Sequence, residues 1–369
     1  MQIKRRIIFA ISTSIAGGGQ IYLFNILSFL ADRYSVLLIC PEGFLLDKVR
    51  SELKIDTHPL TINIKNMGKL RAIIKKEARK HGKVFINAHL LGTSLWCSLA
   101  KFGLKNICFS VTLHNKVLYP DMSWYKRVLY PCILRFVANA DCGFIAVSQE
   151  IADSVKKYAR RECTYIPSSV PIKESPVSIS EDILSKESVR IGFVGRLSQL
   201  KNPIRFLEMA LIVKQSLQCA RFIIIGDGEQ RPLVEDFIKD NKMGDCIEMK
   251  GFVSNPKEEM RKLDVLVISS DSEGTPLVLL ESMSYGIPVV STRVGAIPLV
   301  IDNGIDGVLA DDLEPAALAK SVIGLLSDKE KYISISKSAY LKIKEKFSYE
   351  TNIKKYMEVV MFGNNKPVR

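Results

Sequence analysis

The stretch DVLVISSDSEGTPLVLLESMSYGIPVVST, residues 264–292, reads as a strand, a polar loop, a helix and a second strand. DVLVISS (264–270) and IPVVST (287–292) are continuous apolar runs of strand length, with no alternation of polar and apolar residues. A strand apolar on both faces is buried on both, which is the condition of a parallel sheet covered by helices. The helix between them, PLVLLESMSYG, opens at Pro276, whose fixed φ suits a first turn, with Thr275 placed to cap it. It stops at Gly286-Ile287-Pro288.

This unit also carries two carboxylates with seven residues between them, Glu273 in the loop and Glu281 more than a turn inside the helix. At ~1.5 Å rise per residue, Pro276 and Glu281 are roughly 7–8 Å apart along the axis. The amides of Gly274, Thr275 and Leu277 open the helix, where its dipole favours an anion. A diphosphate there has one end by each carboxylate, which suits a nucleotide sugar, its sugar hydroxyls by Glu273 and its ribose by Glu281. Burying a glutamate in an apolar helix is costly unless it is bonded. The plainer alternative is a charge at a helix start and a half-exposed helix glutamate.

The same pattern extends in both directions. RIIFAIS (6–12), SVLLIC (35–40), KVFINAH (83–89), ICFSVTLH (107–114) and CGFIAVS (142–148) are strand candidates, followed by VRIGFVG (189–195), RFIIIGDG (221–228) and CIEMKGFV (246–253). Helix-length segments such as PIRFLEMALIVKQSL (203–217) lie between them. The Pro- and Ser-rich, aperiodic run 166–188 reads as a linker. The expected fold class is α/β, two Rossmann-like doubly wound domains with an interdomain cleft, spanning residues 1–170 and 171–347. A last helix over 348–363 is placed to pack back on the first domain.

The charge is lopsided. Residues 1–170 hold 25 Lys/Arg against 11 Asp/Glu, a net of +14, out of +13 for the whole chain, so the remainder is nearly neutral. A basic domain beside a neutral one points to an anionic partner such as a phospholipid surface or a phosphorylated substrate. The eight cysteines form no CxxC pair and no metal-ligand spacing, and read as reduced thiols of a cytosolic protein. Lys4-Arg5-Arg6 before an apolar run imitates a leader peptide, but Ser12, Thr13 and Ser14 interrupt that run, so a first buried strand is expected. No run of eighteen apolar residues is present.

In open parallel sheets ligands bind beyond the carboxyl ends of strands. Gly17-Gly18-Gly19-Gln20 follows the first strand and precedes a helix beginning at Ile21, so it suits close approach of a phosphate or sugar, or a plain turn. Arg196 and Lys201 follow 189–195 as a cationic fork for a diphosphate, or as a solvated surface pair. Gly226-Asp227-Gly228 offers another close backbone approach.

With these residues in view, the chain resembles the retaining glycosyltransferases of family 4, of GT-B fold. The resemblance covers nearly the whole length and is densest from GFVGRLSQLKNP to GIDGVLADD. Glu273 and Glu281 match the family's E-x7-E signature, within EGTPLVLLE. The resemblance implies transfer of a sugar from a nucleotide donor, expected to be a UDP-sugar, with retained anomeric configuration and no metal or other cofactor. It implies Glu273 by the donor sugar and Glu281 by the ribose. Arg196 and Lys201 match the diphosphate-binding pair, Gly17-Gly18 the donor-side glycine loop, and His114 the histidine beside the donor sugar. His89 is read as structural. Departures are Gln20 for a common glutamate, Pro167-Ser168-Ser169 for Pro-Asn-Gly, and Asn202 for a common glycine.

The segment WYKRVLYPCILRFVANA (124–140) mixes aromatics, aliphatics and three basic residues, which suits a membrane interface or a helix with one buried face. With the basic first domain it points to a polyprenyl-diphosphate-linked saccharide or lipopolysaccharide acceptor. The expected location is cytoplasmic, peripheral on the inner face of the membrane, as in makers of bacterial surface polysaccharides. A sugar-nucleotide epimerase would carry more acids and histidines than the four histidines here, and a non-catalytic partner subunit would have lost part of the constellation. The glycine-rich strand ends argue against a nucleic-acid partner.

Overall fold

The computed structural model describes residues 5–15, 17–115, 117–118, 122–140, 142–172 and 187–364. The chain forms two compact units, Met1–Ser168 with Tyr349–Arg369, and Ser169–Ser348. Most of the linker run lies outside the described residues.

The first unit holds β1 (Arg6–Ile11), β2 (Ser35–Cys40), β3 (Asp56–Pro59), β4 (Val84–His89), β5 (Ile107–Leu113), β6 (Cys142–Ala146) and β7 (Thr164–Tyr165). They form one parallel sheet in the order β3-β2-β1-β4-β5-β6-β7. The apolar run behind Lys4-Arg5-Arg6 is β1, wholly buried between β2 and β4. Arg6 is itself buried, and its guanidinium is neutralised by Glu77 and Asp56, each 2.6 Å away. The helix Tyr349–Phe362 belongs to this unit and packs on β4, β5 and β6.

The second unit holds β8 (Val189–Val194), β9 (Ala220–Ile225), β10 (Ile247–Gly251), β11 (Val265–Ile268), β12 (Val289–Ser291) and β13 (Val308–Leu309). Its parallel sheet runs β10-β9-β8-β11-β12-β13. One helical layer packs Phe206, Leu207, Ala210 and Val213 with Leu318 and Val322 against one face of it. Leu279, Leu280 and Met283 cover the other face together with Ala339 and Ile343. Two α/β units of Rossmann-like form are thus present.

Strand order reverses between β1 and β4 in the first unit and between β8 and β11 in the second. Those switch points leave a crevice at the carboxyl ends of the strands. Gly17–Gly19 follow β1, His89 ends β4, Arg196 follows β8 and Glu273 follows β11.

Two local expectations are corrected. The helix after the glycine run begins at Gly18, with Gly17 as its extended N-cap, rather than at Ile21, so the glycines are its first turn. Thr275 does not cap the helix Leu277–Ser284; Pro276 is the N-cap, and its carbonyl accepts the first helical hydrogen bond from Leu279.

Candidate functional site

The second unit's candidate residues converge on the ends of β8, β9 and β11. The loops after β8 and β9 touch backbone to backbone. A Cβ on Gly226, whose φ is +146°, would stand 1.8 Å from the Gly195 carbonyl oxygen. One on Gly228 would stand 2.4 Å from that of Leu197. Glycine here buys close packing of two loops, where the sequence alone suggested ligand approach.

Lys201 is fixed by the same logic. Ser269 donates its hydroxyl to the carbonyls of Lys201 (3.2 Å) and Asn202 (2.9 Å), while Arg205 reaches the Ser269 carbonyl and Asp271, both at 2.8 Å. Asn202 stands at φ +49° and caps the following helix by accepting from the Arg205 amide. Asparagine tolerates the left-handed region better than most residues, so its replacement of the common glycine is conservative. From this platform the Lys201 ammonium meets the Glu273 carboxylate at 2.5 Å. Ser270 donates to the same oxygen at 2.7 Å. The Glu273 side chain is only 7% exposed.

Arg196 is placed differently from the expected fork. Its Nε pairs with Glu229 at 3.1 Å, both groups well exposed, so the two cations answer to separate carboxylates. Among the described residues, the amides of Gly274, Thr275 and Leu277 donate no hydrogen bond, which leaves a helix start free for an anion.

Glu281 is buried, and burial raises its carboxyl to about 7, opposed by the nearby Lys257 charge. The fold therefore favours the protonated form. Its contribution to stability is complete below the ordinary carboxyl range and is lost as pH rises through 7. A shift of that size is worth on the order of 3 kcal/mol. Thermal melts between pH 4.5 and 8 are expected to show the ligand-free protein losing this increment, and Glu281→Gln flattening the profile. Parallel profiles for the two proteins would refute the assignment.

In the first unit, Gly17 and Gly18 open their helix, and a Cβ on Gly18 would meet nothing within 4 Å. A Cβ on Gly19 would lie 3.6 Å from the ring of His114, just past β5. His114 stacks on His89, with Nε2 2.9 Å from His89 Nδ1. Burial lowers His114 to about 4 and carries His89 well below the ordinary range. Both rings are neutral at physiological pH. His89, read as structural, is indeed fully buried, yet it touches the candidate histidine. The available signal was positional, since β4 and β5 are neighbours and His89 pairs with Thr112.

Residues 188–328 match the family model described as "Glycosyl transferases group 1", and residues 16–174 match that described as "Glycosyltransferase Family 4". A Campylobacter jejuni GalNAc-alpha-(1->4)-GalNAc-alpha-(1->3)-diNAcBac-PP-undecaprenol alpha-1,4-N-acetyl-D-galactosaminyltransferase is 29% identical over 345 residues, 88% of this chain and 89% of that one. The amylovoran biosynthesis glycosyltransferase AmsK of Erwinia amylovora is 28% identical over 184 residues, 47% of this chain and 45% of that one. Among solved structures, Anabaena Alr3699/HepE in complex with UDP superposes with a TM-score of 0.78 at 21% identity, over 96% of this chain and 99% of that one. At such identity the likeness bears on the fold.

Proposed function

We propose that the chain is a glycosyltransferase of family 4 and GT-B fold that transfers a sugar from a UDP-sugar, with retention, to a polyprenyl-diphosphate-linked or lipopolysaccharide saccharide. The observation that carries the donor half is the Lys201–Glu273 pair beside the free amides of a helix start. Glycosyltransferase models match both halves of the chain, which weighs against the epimerase reading.

In this reading the bond from the anomeric carbon to the phosphate oxygen breaks while the acceptor oxygen bonds to that carbon from the same face. The acceptor proton passes to the leaving phosphate. Negative charge grows on the diphosphate, answered by Arg196, Lys201, the amides of Gly274, Thr275 and Leu277, and the helix start at Gly17-Gly18. Positive charge grows at the anomeric carbon, answered by Glu273. Glu281 takes the ribose hydroxyls, and His114 a hydroxyl of the sugar. No metal is assigned a part. The choice of UDP is supported by the HepE complex with UDP, and that of a lipid-linked acceptor by the undecaprenol named for the C. jejuni relative. Metal-free thermal-shift and hydrolysis screens against UDP-, GDP-, ADP- and dTDP-sugars test it. Stabilisation by UDP-sugars, lost in Glu281→Ala, is expected; no response to any of them would overturn the donor assignment.

The acceptor half is supported by the helix Trp124–Ala138. Trp124, Tyr125, Val128 and Leu129 are exposed at spacings of three and four, Phe136 is exposed seven residues further on, and Arg127 and Arg135 lie beside them. Leu134, Val137 and Ala138 form its buried face. An apolar stripe with a basic border is the form of a helix lying in a membrane interface. At about 1.5–3 kcal/mol per large apolar side chain, replacing Trp124 and Val128 with serine is expected to weaken binding to phosphatidylglycerol vesicles by tenfold or more. Donor hydrolysis would be unchanged. Co-sedimentation equal to the parent protein would exclude this face. No helix among the described residues is long and apolar enough to cross a membrane.

A further inference from the structure

Behind His114 lies a buried chain of polar groups that none of the assigned roles uses. Ser110 donates to the Ile86 carbonyl at 3.2 Å, and Asn87 Nδ2 donates to Ser110 at 2.9 Å. On its other side, Asn87 Oδ1 accepts from Tyr356 at 2.8 Å and from Thr112 at 3.0 Å. Tyr356 Oη is 3.3 Å from His89 Nε2, and His89 Nδ1 is 2.9 Å from His114 Nε2. Asn87, Ser110, Thr112 and His89 are fully buried, and Tyr356 is 1% exposed.

The direction of every proton in this chain follows from one end. A backbone carbonyl can only accept, so the Ser110 hydrogen is committed to Ile86 and the Ser110 oxygen must accept from the Asn87 amide nitrogen. The Asn87 oxygen then faces Tyr356 and takes its single hydrogen. Tyr356 can offer His89 only a lone pair, so His89 carries its proton on Nε2. That leaves His89 Nδ1 bare, and His114 must donate from Nε2. Both rings are neutral, as burial requires, so each carries one proton only.

We infer that Ser110, Asn87, Tyr356 and His89 form a relay that holds His114 as the Nε2–H tautomer, so that it presents Nδ1 to the substrate as a hydrogen-bond acceptor. Tyr356 and His89 are thus positioning residues, and the last helix, Tyr349–Phe362, supplies one of them. Resting on the proposed transferase reading, this narrows the ligand chemistry: the group that meets His114 is a hydroxyl, which can donate. A carboxylate there would face a lone pair, and a methyl group would leave the nitrogen unpaired.

The test is the long-range 1H–15N side-chain spectrum of the labelled full chain at pH 7, with His114 assigned by its loss in His114→Asn. Nδ1 is expected at the unprotonated, imine-type position and Nε2 at the protonated one. The reverse pattern would overturn the relay. This spectrum requires no donor, so it stands apart from any failure of the transferase reading, and it reads the tautomer in the unaltered chain, with His114→Asn serving only for assignment. In Tyr356→Phe the His114 signals are expected to shift towards a mixture of tautomers, with kcat/KM down about tenfold. A loss of activity with the tautomer unchanged would reduce Tyr356 to a packing role.

Discussion

Replacing Glu273 with glutamine is expected to lower kcat by about 10²–10³ while leaving the KM for the donor nearly unchanged. The substitution keeps the size of the side chain and an acceptor for Ser270, but removes the charge. Two effects compete, and their magnitudes separate them. A net hydrogen bond is worth about 1 kcal/mol, so weakening one of two contacts to Oε1 changes rates by a few-fold at most. A preorganised charge beside a carbon that becomes cationic only in the transition state is worth about 3 kcal/mol, since the site is dry and the group needs no reorientation. Glu273 meets both conditions, being 7% exposed and held at 2.5 Å by Lys201 and 2.7 Å by Ser270. The freed Lys201 also becomes fully available to the diphosphate, so donor binding is not expected to suffer. Lys201 reaches solvent, so the loss of the ion pair costs on the order of 1 kcal/mol of stability. Steady-state kinetics with a thermal melt of each protein checks this. Full turnover by Glu273→Gln would remove the glutamate from the chemistry, and a raised KM with unchanged kcat would make it a ground-state binder.

The parts of this architecture that could be read from sequence are those where burial on both faces leaves an unmistakable apolar run. The central strands β1, β2, β4, β8, β9 and β11 are of this kind. β3, with sequence DTHP, and the two-residue strands β7 and β13 are not, because an edge or near-edge position needs little apolar surface. Glu281 stood out because a charge inside an apolar helix asks for a reason, and Glu273 and Lys201 because they lie in loops just past strand ends. Their mutual geometry was less so. Arg196 pairs with Glu229, and Lys201 with Glu273, because those contacts depend on how three loops stack. Helix starts were read a residue or more away from their places, as in Pro276, since capping depends on backbone angles that several residue types allow. Tyr356 could not have been found at all: it lies 267 residues from the His89 nitrogen it meets.

Gly295 is the second residue that sequence reading passed over, and Gly295→Ala is expected to damage both stability and activity. It follows β12 at φ +55°, and a Cβ built on it would stand 1.8 Å from the carbonyl oxygen of Glu273. The Ala296 amide donates to that same carbonyl at 3.2 Å, so the Glu273 backbone is held from behind by this turn. Alanine in the left-handed region costs about 1–2 kcal/mol by itself. Relieving a backbone contact, which cannot rotate away, adds a further 1–3 kcal/mol or so. The sum, about 3 kcal/mol, corresponds to a drop in Tm of roughly 6–12 °C for a unit of this size. Relief of the contact requires Glu273 to move, and its carboxylate then leaves the place set by Lys201 and Ser270. The matched control is Gly274→Ala, one residue from Glu273, where a Cβ meets nothing within 4 Å. Its stability is expected to stay within about 0.5 kcal/mol of the parent, because no strain or contact is involved. Any loss of donor affinity in that variant measures close approach of the ligand to the backbone, as distinct from loop packing. Equal melting of Gly295→Ala and the parent would mean the turn after β12 can shift without Glu273, and the rigid support of the carboxylate would have to be sought in Lys201 and Ser270.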